Sequence, residues 1–272
     1  MNCKDIKIDI LLPYWGEFKL LKKAVESVLA QTYSNWNLYI FDDAYPSGEA
    51  SKYFKTIKDK RVKYFRHKRN IGITANFNFA LNQTRADFFI MIGCDDIMLP
   101  NYLEVAVQNI QDADFYQPMV DVIDADGNVY SPLGDRIKRL LRPNKSGIYH
   151  GERLATSLCH GNWLYFPSIL WRTKAVKKHG FDNRYKIVED VALQLSIIKD
   201  GGKLFLDNET TFQYRRFPES LSSKEKSKNG IRFAEESEIY NKFASEFKRI
   251  GWMHASRAAR YHITSRINRL IS

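Results

Sequence analysis

Short apolar runs alternate with helical spacings along the first hundred residues of the chain. Four runs have the length and the β-branched or aromatic content of strands, and they are Ile6–Leu12, Asn37–Phe41, Val62–Arg66 and Phe88–Ile92. Between them, apolar residues spaced three to four apart predict helices at Leu20–Gln31, Ala50–Ile57 and Asn76–Leu81. Alternation of strand and helix is typical of a mostly parallel sheet with helices on both faces. We therefore expect an α/β fold.

The second half of the chain has a less regular pattern. We expect a strand at Phe115–Ile123, a strand at Leu164–Trp171 and a helix at Arg172–His179. A further predicted helix carries Val191, Leu195 and Ile198. The stretch Gly134–Ser146 is basic and is interrupted by Pro143. We expect it to be a loop, either a solvated surface segment or a mobile cover over a site.

Two pairs of aspartates follow predicted strands in the first half. Asp42-Asp43 follows the second strand, and Asp95-Asp96 follows the fourth. Ligands of open α/β sheets bind at the carboxyl ends of the strands, and adjacent carboxylates favour a hard divalent cation that offsets their repulsion. For the later pair an alternative stays open, in which Asp96 caps the helix that begins near Leu99 while Asp95 is solvated.

Composition bounds the class of protein. The chain has 272 residues, enough for one large domain, and its hydrophobic content of 44% is that of an ordinary globular protein. Its three cysteines, Cys3, Cys94 and Cys159, have neither disulfide nor metal-site spacing, which favours a reducing compartment. No apolar run approaches the ~20 residues that cross a bilayer, and the polar amino terminus does not resemble a signal peptide. We therefore expect a cytoplasmic protein.

Net charge points to anionic partners. The chain carries a formal charge of +11, which suits a phosphorylated substrate, a membrane surface or nucleic acid. The segment Lys248–Ser272 has six basic residues and no acidic one, and its helical apolar stripe contains Ala255, Ala259, Ile263, Ile267 and Leu270. Such a helix lies on the inner face of an anionic membrane, or packs against the catalytic domain or a second subunit of a homo-oligomer. Both placements stay open.

Several segments of the first hundred residues form one ordered series. In chain order they are Ile10–Trp15 (ILLPYW), Ser27–Trp36 (SVLAQTYSNW), Asp42-Asp43, Asn70–Gly72, Asp95-Asp96 and Pro100–Leu103. The series resembles family 2 of the inverting glycosyltransferases, and its order is more specific than any single motif. The resemblance implies the GT-A fold, a Rossmann-like and mostly parallel sheet flanked by helices, followed here by a basic C-terminal helical arm.

The resemblance also implies a domain organisation. Residues 1–218 are expected to form the GT-A catalytic domain, with a nucleotide-sugar donor half at 1–110 and an acceptor half containing the catalytic base at 111–218. Residues 219–272 are expected to form a C-terminal helical extension.

Donor contacts are implied near the ends of the first strands. Tyr14 or Trp15 matches the aromatic residue that stacks on the nucleotide base, and Asp43 matches the acid that accepts a hydrogen bond from the base. Further donor contacts are expected at Pro13, Asn70, Gly72, Asn78 and Arg215. Arg215 or its neighbour Arg216 suits bidentate contact with diphosphate oxygens, and a structural ion pair is the alternative.

The resemblance implies a metal site at the later acidic pair. Asp95 matches the last acid of the family's DxD motif, which binds Mg²⁺ or Mn²⁺ bridging the diphosphate, and Asp96 is expected to support it. The chain departs from the family at three places. Gly93 replaces a frequent acid, Phe77 replaces a frequent arginine, and Phe217 stands where a histidine is expected.

A second acidic pair, Glu189-Asp190, follows the lead-in Gly180–Asp182 and resembles the family's ED motif. The resemblance implies that Asp190 is the general base, and we expect Glu189 to contact the acceptor. The structural alternative is an acid pair that complements the dipole of a helix N-terminus. Trp163 is the aromatic residue expected to bind the acceptor sugar.

The implied function is that of an inverting, metal-dependent glycosyltransferase. It would move a sugar from a nucleotide diphosphate, with UDP favoured and dTDP or GDP as alternatives, to a glycan or lipid-linked acceptor in surface polysaccharide synthesis. Two other classes stay open. A sugar-1-phosphate nucleotidyltransferase typically needs a Gly-rich, Arg-containing loop, which Pro13–Glu17 does not provide. A non-catalytic module for anionic ligands or nucleic acid would bind in a salt-dependent manner, and nucleic acid is the partner we least expect.

Overall fold

The computed structural model describes residues 6–217 and 231–262. Its strands are β1 (Ile8–Tyr14), β2 (Trp36–Asp42), β3 (Val62–Arg66), β4 (Phe88–Met91), β5 (Ile97–Met98), β6 (Phe115–Ile123), β7 (Gly147–His150), β8 (Leu170–Arg172) and β9 (Lys203–Arg215). Its α-helices are α1 (Phe18–Leu29), α2 (Glu49–Thr56), α3 (Ile73–Gln83), α4 (Tyr102–Ile110), α5 (Leu133–Leu141), α6 (Gly151–His160), α7 (Thr173–Lys177), α8 (Glu189–Lys199), α9 (Ile231–Arg249) and α10 (Met253–Tyr261).

All of these strands join one sheet. Its order is β3-β2-β1-β4-β8-β6-β9-β5, and β7 also pairs with β9. Strands β3, β2, β1 and β4 are parallel neighbours, as are β6 and β9, whereas β8 runs antiparallel between β4 and β6. The expected mostly parallel α/β sheet is confirmed. Strands β1, β2, β4, β6 and β9 therefore end at the same edge, where a site is expected.

The central strands are buried on both faces, which explains their near-continuous apolar runs. In β1, Ile10 and Leu12 belong to the core beneath α1, α2 and α4, while Leu11 between them belongs to the core beneath α3, α6 and α8. Alternate side chains of a strand point to opposite faces. The sheet is thus covered by helices on both sides, and its carboxyl edge is left for polar groups.

Two expectations for the second half are wrong. Helix α5, at residues 133–141, takes up the first part of the expected loop Gly134–Ser146, because Asp135, Lys138 and Arg142 recur on one helical face and make inward polar contacts. The expected strand at Leu164–Trp171 is a 3₁₀ turn at residues 166–168 followed by the short β8. Pro167 lies inside that turn, and proline cannot donate a ladder hydrogen bond.

The C-terminal helices pack on the catalytic core. Helix α10 contacts α6 and α9, burying Ala255 and Ala259, and its first N–H groups donate to Glu152 Oε1, from His254 at 2.6 Å. The part of the expected stripe in α10 therefore faces protein. Its other members, Ile263, Ile267 and Leu270, lie outside the described residues, as does the expected domain boundary at 218/219.

Within residues 6–217 and 231–262, no helix combines the length and the apolar character needed to span a bilayer.

The carboxylate of Asp9 joins β1 and β2 to the turn before β4. It accepts hydrogen bonds from Asn37 Nδ2 (3.0 Å), Thr84 Oγ1 (2.7 Å), Arg85 N (2.8 Å) and Ala86 N (3.0 Å). Burial by itself would raise the pKa of Asp9, but these hydrogen bonds outweigh it and hold the pKa below its usual value. Its stabilising effect is therefore present at neutral pH and disappears as the pH falls through that lowered pKa.

We expect Asp9→Asn to lower the free energy of unfolding at pH 7 by about 2–3 kcal/mol, because an amide cannot accept all four bonds. The difference should shrink on acidification below about pH 4, where the unfolded-state carboxylate protonates. Urea unfolding at several pH values measures both effects. The control is Asp112→Asn, which removes only an exposed ion pair with Lys203. Equal loss of stability in the two variants would contradict this role.

Candidate active site

The end of β1 presents one exposed aromatic ring. Tyr14 is completely buried, whereas Trp15 is 47% exposed. The Trp15 ring lies edge-on to Tyr45, with centroids 5.3 Å apart and planes at 86°. Of the two aromatic residues expected to stack on a nucleotide base, only Trp15 is accessible. Pro13, the other expected contact here, pairs with Phe41 inside the sheet.

Asp43, just after β2, is hydrogen-bonded to the second expected donor segment. Its carboxylate accepts hydrogen bonds from the backbone of Ile71 (2.7 Å) and Gly72 (2.9 Å), and Asn70 Oδ1 also accepts from Gly72 N at 3.0 Å. Gly72 has φ 88°, a conformation that glycine adopts without strain. The expected residues Asp43, Asn70 and Gly72 therefore lie together, and each Asp43 oxygen keeps further acceptor capacity.

The acidic pair after β4 is packed tightly against its own loop. Asp96 is almost fully buried, and its Oδ1 accepts a hydrogen bond from Arg215 N at 2.8 Å. A Cβ placed on Gly93 would lie 2.4 Å from Asp96 Oδ2. The carboxylate of Asp96 thus occupies the space that a side chain at position 93 would need. This explains physically why glycine replaces the acid frequent at that position.

Both carboxylates are destabilised in their charged form. Burial raises the pKa of Asp95 above its usual value. The pKa of Asp96 is raised further, first by burial and then by the charge of Asp95, although Arg215 acts in the opposite direction. No group of three or more His, Cys, Asp or Glu side chains within the described ranges forms a complete metal cage. A carboxylate pair suits Mg²⁺ or Mn²⁺ whose remaining ligands come from phosphate and water.

Arg215 does not present a free cation. Its side chain is buried, and it donates to three backbone carbonyls, those of Asp95 (2.9 Å), Asp124 (2.6 Å) and Ala125 (3.1 Å). It therefore links the acidic loop to the turn after β6. These partners are backbone carbonyls, so the contacts of Arg215 are structural but are not the ion pair named as the alternative.

The next residue on β9, Arg216, belongs to a second polar cluster. It forms a bidentate pair with Asp135, at 2.5 and 2.8 Å, and Asp135 also accepts a hydrogen bond from Tyr165 Oη at 2.8 Å. Lys138 Nζ donates to Leu164 O at 2.8 Å and lies 4.4 Å from the centroid of the Tyr165 ring. Burial and the charge of Arg216 lower the pKa of Lys138 to about 8, against the opposing effects of nearby Asp135 and Asp190.

Asp190 lies in the first turn of α8, beside this cluster. Burial raises its pKa, while the N–H of Val191, at 2.8 Å, and the charges of Lys138 and Arg232 favour the carboxylate. A carboxylate with a raised pKa suits proton abstraction near neutral pH. The expected base is therefore in an environment that poises it for that role.

Asn78 holds the loop that precedes α8. Its Nδ2 donates to Phe181 O at 2.9 Å and to Asn183 Oδ1 at 3.0 Å, and its Oδ1 accepts from Phe181 N at 3.1 Å. From the other side, Glu235 accepts from the backbone of Lys186 and Ile187. Asn78, expected at the donor, thus uses its amide to position the segment leading to Asp190.

The two expected acceptor residues, Glu189 and Trp163, are both buried. Glu189 is buried, and its Oε2 has no hydrogen-bond partner in the described part of the chain. Burial, and then the charge of Asp190, raise the pKa of Glu189 to about 8. Trp163 is only 1% exposed and donates from Nε1 to Ser157 Oγ at 3.0 Å. It forms a wall of a cavity of about 250 Å³ that Tyr165 and Lys138 also line.

Sequence reasoning missed Asp135, Lys138 and Tyr45 as site residues. A usable signal was present for the first two, because Asp135, Lys138 and Arg142 follow one another at intervals of three and four. That spacing places them on one side of a helix. Tyr45 follows the Asp42-Asp43 pair in a loop and offers no comparable pattern.

Comparison with known proteins identifies the family of the chain. Residues 9–173 match the model of the family described as Glycosyl transferase family 2. EpsE of Bacillus subtilis, provisionally named a glycosyltransferase, is 26% identical over 213 residues, covering 77% of this chain and 73% of that protein. WcaA of Escherichia coli K12, provisionally named a colanic acid biosynthesis glycosyl transferase, is 27% identical over 207 residues, covering 75% and 70%.

Two solved structures share the fold. TarS of S. aureus, residues 1–349 in complex with UDP-GlcNAc, superposes with a TM-score of 0.71 at 14% identity and covers 95% of this chain and 73% of that one. The mannosyltransferase PcManGT of Pyrobaculum calidifontis, in complex with GDP-Man and Mn²⁺, gives 0.64 at 11% identity, covering 98% and 73%. Because the family model matches more than half of the chain, the protein belongs to glycosyl transferase family 2 and is a glycosyltransferase of the GT-A fold.

Proposed function

We propose that the protein is an inverting, metal-dependent transferase that moves a sugar from a nucleotide diphosphate to a hydroxyl of a glycan or lipid-linked acceptor. We place this reaction in the cytoplasm, in the synthesis of a surface polysaccharide. The observation that carries the proposal is the adjacency of Arg215 and Arg216. The first contacts the loop of Asp95 and Asp96, and the second contacts the cluster beside Asp190.

For the donor, we propose that Trp15 stacks on the base and that Asp43 accepts a hydrogen bond from it. Exposure of Trp15 and the position of Asp43 at the neighbouring strand end support this. UDP is the favoured nucleotide, since the neighbour TarS was solved with UDP-GlcNAc. GDP and dTDP stay within the proposal, because PcManGT was solved with GDP-Man.

For the metal, we propose that Asp95 is the main protein ligand and that the second oxygen of Asp96 supports it. Asp96 Oδ1 is already engaged by Arg215 N, which separates the roles of the two acids. A bound Mg²⁺ or Mn²⁺ supplies the positive charge that stabilises the departing diphosphate. The buried carboxylate pair, whose own repulsion such an ion would offset, supports this assignment.

For the chemical step, we propose Asp190 as the general base. Its carboxylate takes the proton of the acceptor hydroxyl while that oxygen forms a bond to the anomeric carbon. The bond from this carbon to the diphosphate oxygen breaks, and its electron pair leaves with the nucleoside diphosphate. A single displacement of this kind inverts the anomeric centre. Glu189 and the cavity wall containing Trp163 are proposed to position the acceptor.

We expect Asp190→Asn to lower sugar transfer by roughly 10²–10⁴-fold, because an amide cannot accept the acceptor proton. Donor binding should be unchanged, since Asp190 lies at the acceptor side of the proposed site. Transfer of labelled sugar, and thermal shift with the donor nucleotide, measure the two properties. Asp200→Asn at the other end of α8 is the matched control and should transfer normally. Normal transfer by a folded Asp190→Asn variant would exclude Asp190 as the base.

The pH dependence tests the electrostatics around Asp190. Because its pKa is raised, transfer should fall on acidification at a pH above the usual range of an aspartate. Lys138→Gln removes a charge that favours the carboxylate, so the acid limb should move to higher pH. Rate profiles of wild type, Lys138→Gln and the exposed control Lys19→Gln measure the shift. An unshifted acid limb in the rate profile of a folded Lys138→Gln variant would contradict the electrostatic effect of Lys138 on Asp190.

The metal assignment predicts the effects of two substitutions, Asp95→Asn and Gly93→Asp. Asp95→Asn should abolish the part of the thermal stabilisation by nucleoside diphosphate that requires Mn²⁺. Gly93→Asp restores the acid frequent in the family, yet it should lower both stability and transfer, because its Cβ would lie 2.4 Å from Asp96 Oδ2. Tighter Mn²⁺ binding by Gly93→Asp would show that the loop accommodates the extra acid. Metal-independent stabilisation of wild type would count against Asp95 as a ligand.

A further inference from the structure

Helix α5 is partly reversed in polarity relative to an ordinary surface helix, although Leu141 still packs against the core. Its inward residues are Asp135, Lys138 and, just after the helix, Arg142, each held by polar contacts with the core. Its outward residues include Leu133, which is 64% exposed, and Leu140, which is 84% exposed. A surface helix normally buries its leucines and exposes its charges. The reversal requires a reason for leucines at the surface.

The exposed leucines have apolar neighbours. Val129 and Tyr130, in the turn that precedes α5, are also exposed. Leu133 and Leu140 are seven residues apart, so they lie on the same side of the helix. We call the exposed residues Leu133 and Leu140 the outer face of α5, because Val129 and Tyr130 line the cavity together with Asp135 and Lys138. Clustered exposed apolar side chains of this kind mark a contact with a partner or a membrane.

The exposed charges of residues 129–145 are all positive, and Arg139 lies 3.9 Å from Asp121 of β6. Arg136, Arg139 and Lys145 are exposed in the segment 129–145, and the segment's single acid, Asp135, is buried against Arg216. Basic side chains beside protruding leucines form the pattern of a helix that lies in the interface of an anionic bilayer. A partner with an apolar interior and a negative surface matches both the leucines and the charges.

We propose that the outer face of α5 binds a membrane surface that contains anionic lipid headgroups. The leucines would enter the boundary between headgroups and acyl chains, and Arg136 and Lys145 would contact the headgroup phosphates. This surface is distinct from the C-terminal stripe, whose described members Ala255 and Ala259 are buried against protein. The proposal adds a docking surface to the proposed function and does not depend on the donor chemistry.

The position of α5 gives the contact a consequence for the acceptor. The inward side of the same helix, with Asp135 and Lys138, lines the cavity of about 250 Å³, and Lys138 influences the ionisation of Asp190. A membrane bound at the outer face would therefore lie one helix diameter, on the order of 10 Å, from the cavity lining. A lipid-linked acceptor could then remain in the bilayer while its sugar enters the cavity.

Flotation of the full chain with vesicles tests the apolar part of the proposal. We expect wild type to bind mixed phosphatidylglycerol and phosphatidylcholine vesicles, and Leu133→Ser/Leu140→Ser to bind at least about tenfold more weakly, because each serine removes buried apolar area. The matched control Ile250→Ser/Met253→Ser removes two other exposed apolar residues and should bind like wild type. Thermal unfolding verifies that each variant is folded.

A second pair of variants tests the charges without touching the leucines. Arg136→Gln/Lys145→Gln should weaken binding to the anionic vesicles by about tenfold and reduce its salt dependence. Lys52→Gln/Lys55→Gln, which removes two exposed charges from α2, should have a smaller effect. Pure phosphatidylcholine vesicles should bind wild type weakly.

Three outcomes would overturn the proposal. The first is unchanged vesicle binding by the folded leucine variant. The second is loss of binding in Ile267→Ser/Leu270→Ser with the leucine variant unaffected, which would assign the membrane contact to the C-terminal segment. The third is absence of vesicle binding by the wild type. Self-association through Leu140 in place of vesicle binding would count as this third outcome. Donor hydrolysis in vesicle-free solution should be equal in wild type and the leucine variant, which separates this test from tests of the reaction.

Discussion

The organisation of the site depends on burying two adjacent carboxylates at the end of β4. Their repulsion is reduced by position: Asp96 turns toward the backbone N–H of Arg215, and Asp95 remains partly open to solvent. The same turn removes the space for any side chain at position 93. Because Arg215 and Arg216 are consecutive, this hydrogen bond also determines where the cluster around Asp190 lies relative to the acidic pair. A change in the conformation of the loop after β4 would therefore also displace the end of β9.

Asp190, the proposed general base, lies in a balance of opposite charges. Burial disfavours ionisation of Asp190, and Lys138 favours it. The pKa of Lys138 is in turn lowered by its own burial and by the charge of Arg216, which is paired with Asp135. Each group is thus shifted away from its ordinary behaviour by its neighbours, a condition typical of sites where protons move. The balance depends on α5, an element that carries half of these charges on its inner face.

Sequence patterns predicted the first half well because its strands are buried on both faces and end in polar pairs, which is a strong local signal. They also singled out Asp43, Asn70 and Gly72, which the structure brings into contact with one another. They could not tell that Tyr14 is buried and Trp15 is exposed. The exposure of neighbouring residues at a strand end depends on what covers each face of the sheet. Arg215 and Asn78 resembled donor contacts, yet they bond backbone atoms about 90 to 120 residues away, and no local pattern records such partners. Helix α5 was missed because its polarity is partly reversed.

Helix α3 connects the proposed donor side of the site to the loop that precedes the proposed base, Asp190. Its N-terminus begins directly after Gly72, whose N–H is held by Asp43, and its side carries Asn78, whose amide holds the loop before Asp190. The five steps between Ile73 and Asn78 span about 7.5 Å along the helix axis. A helix transmits displacement over that distance without absorbing it. A shift of the proposed donor loop would thus move α3 as a rigid body and displace the loop before Asp190. The position of the bound donor would in this way affect the orientation of the proposed base toward the acceptor.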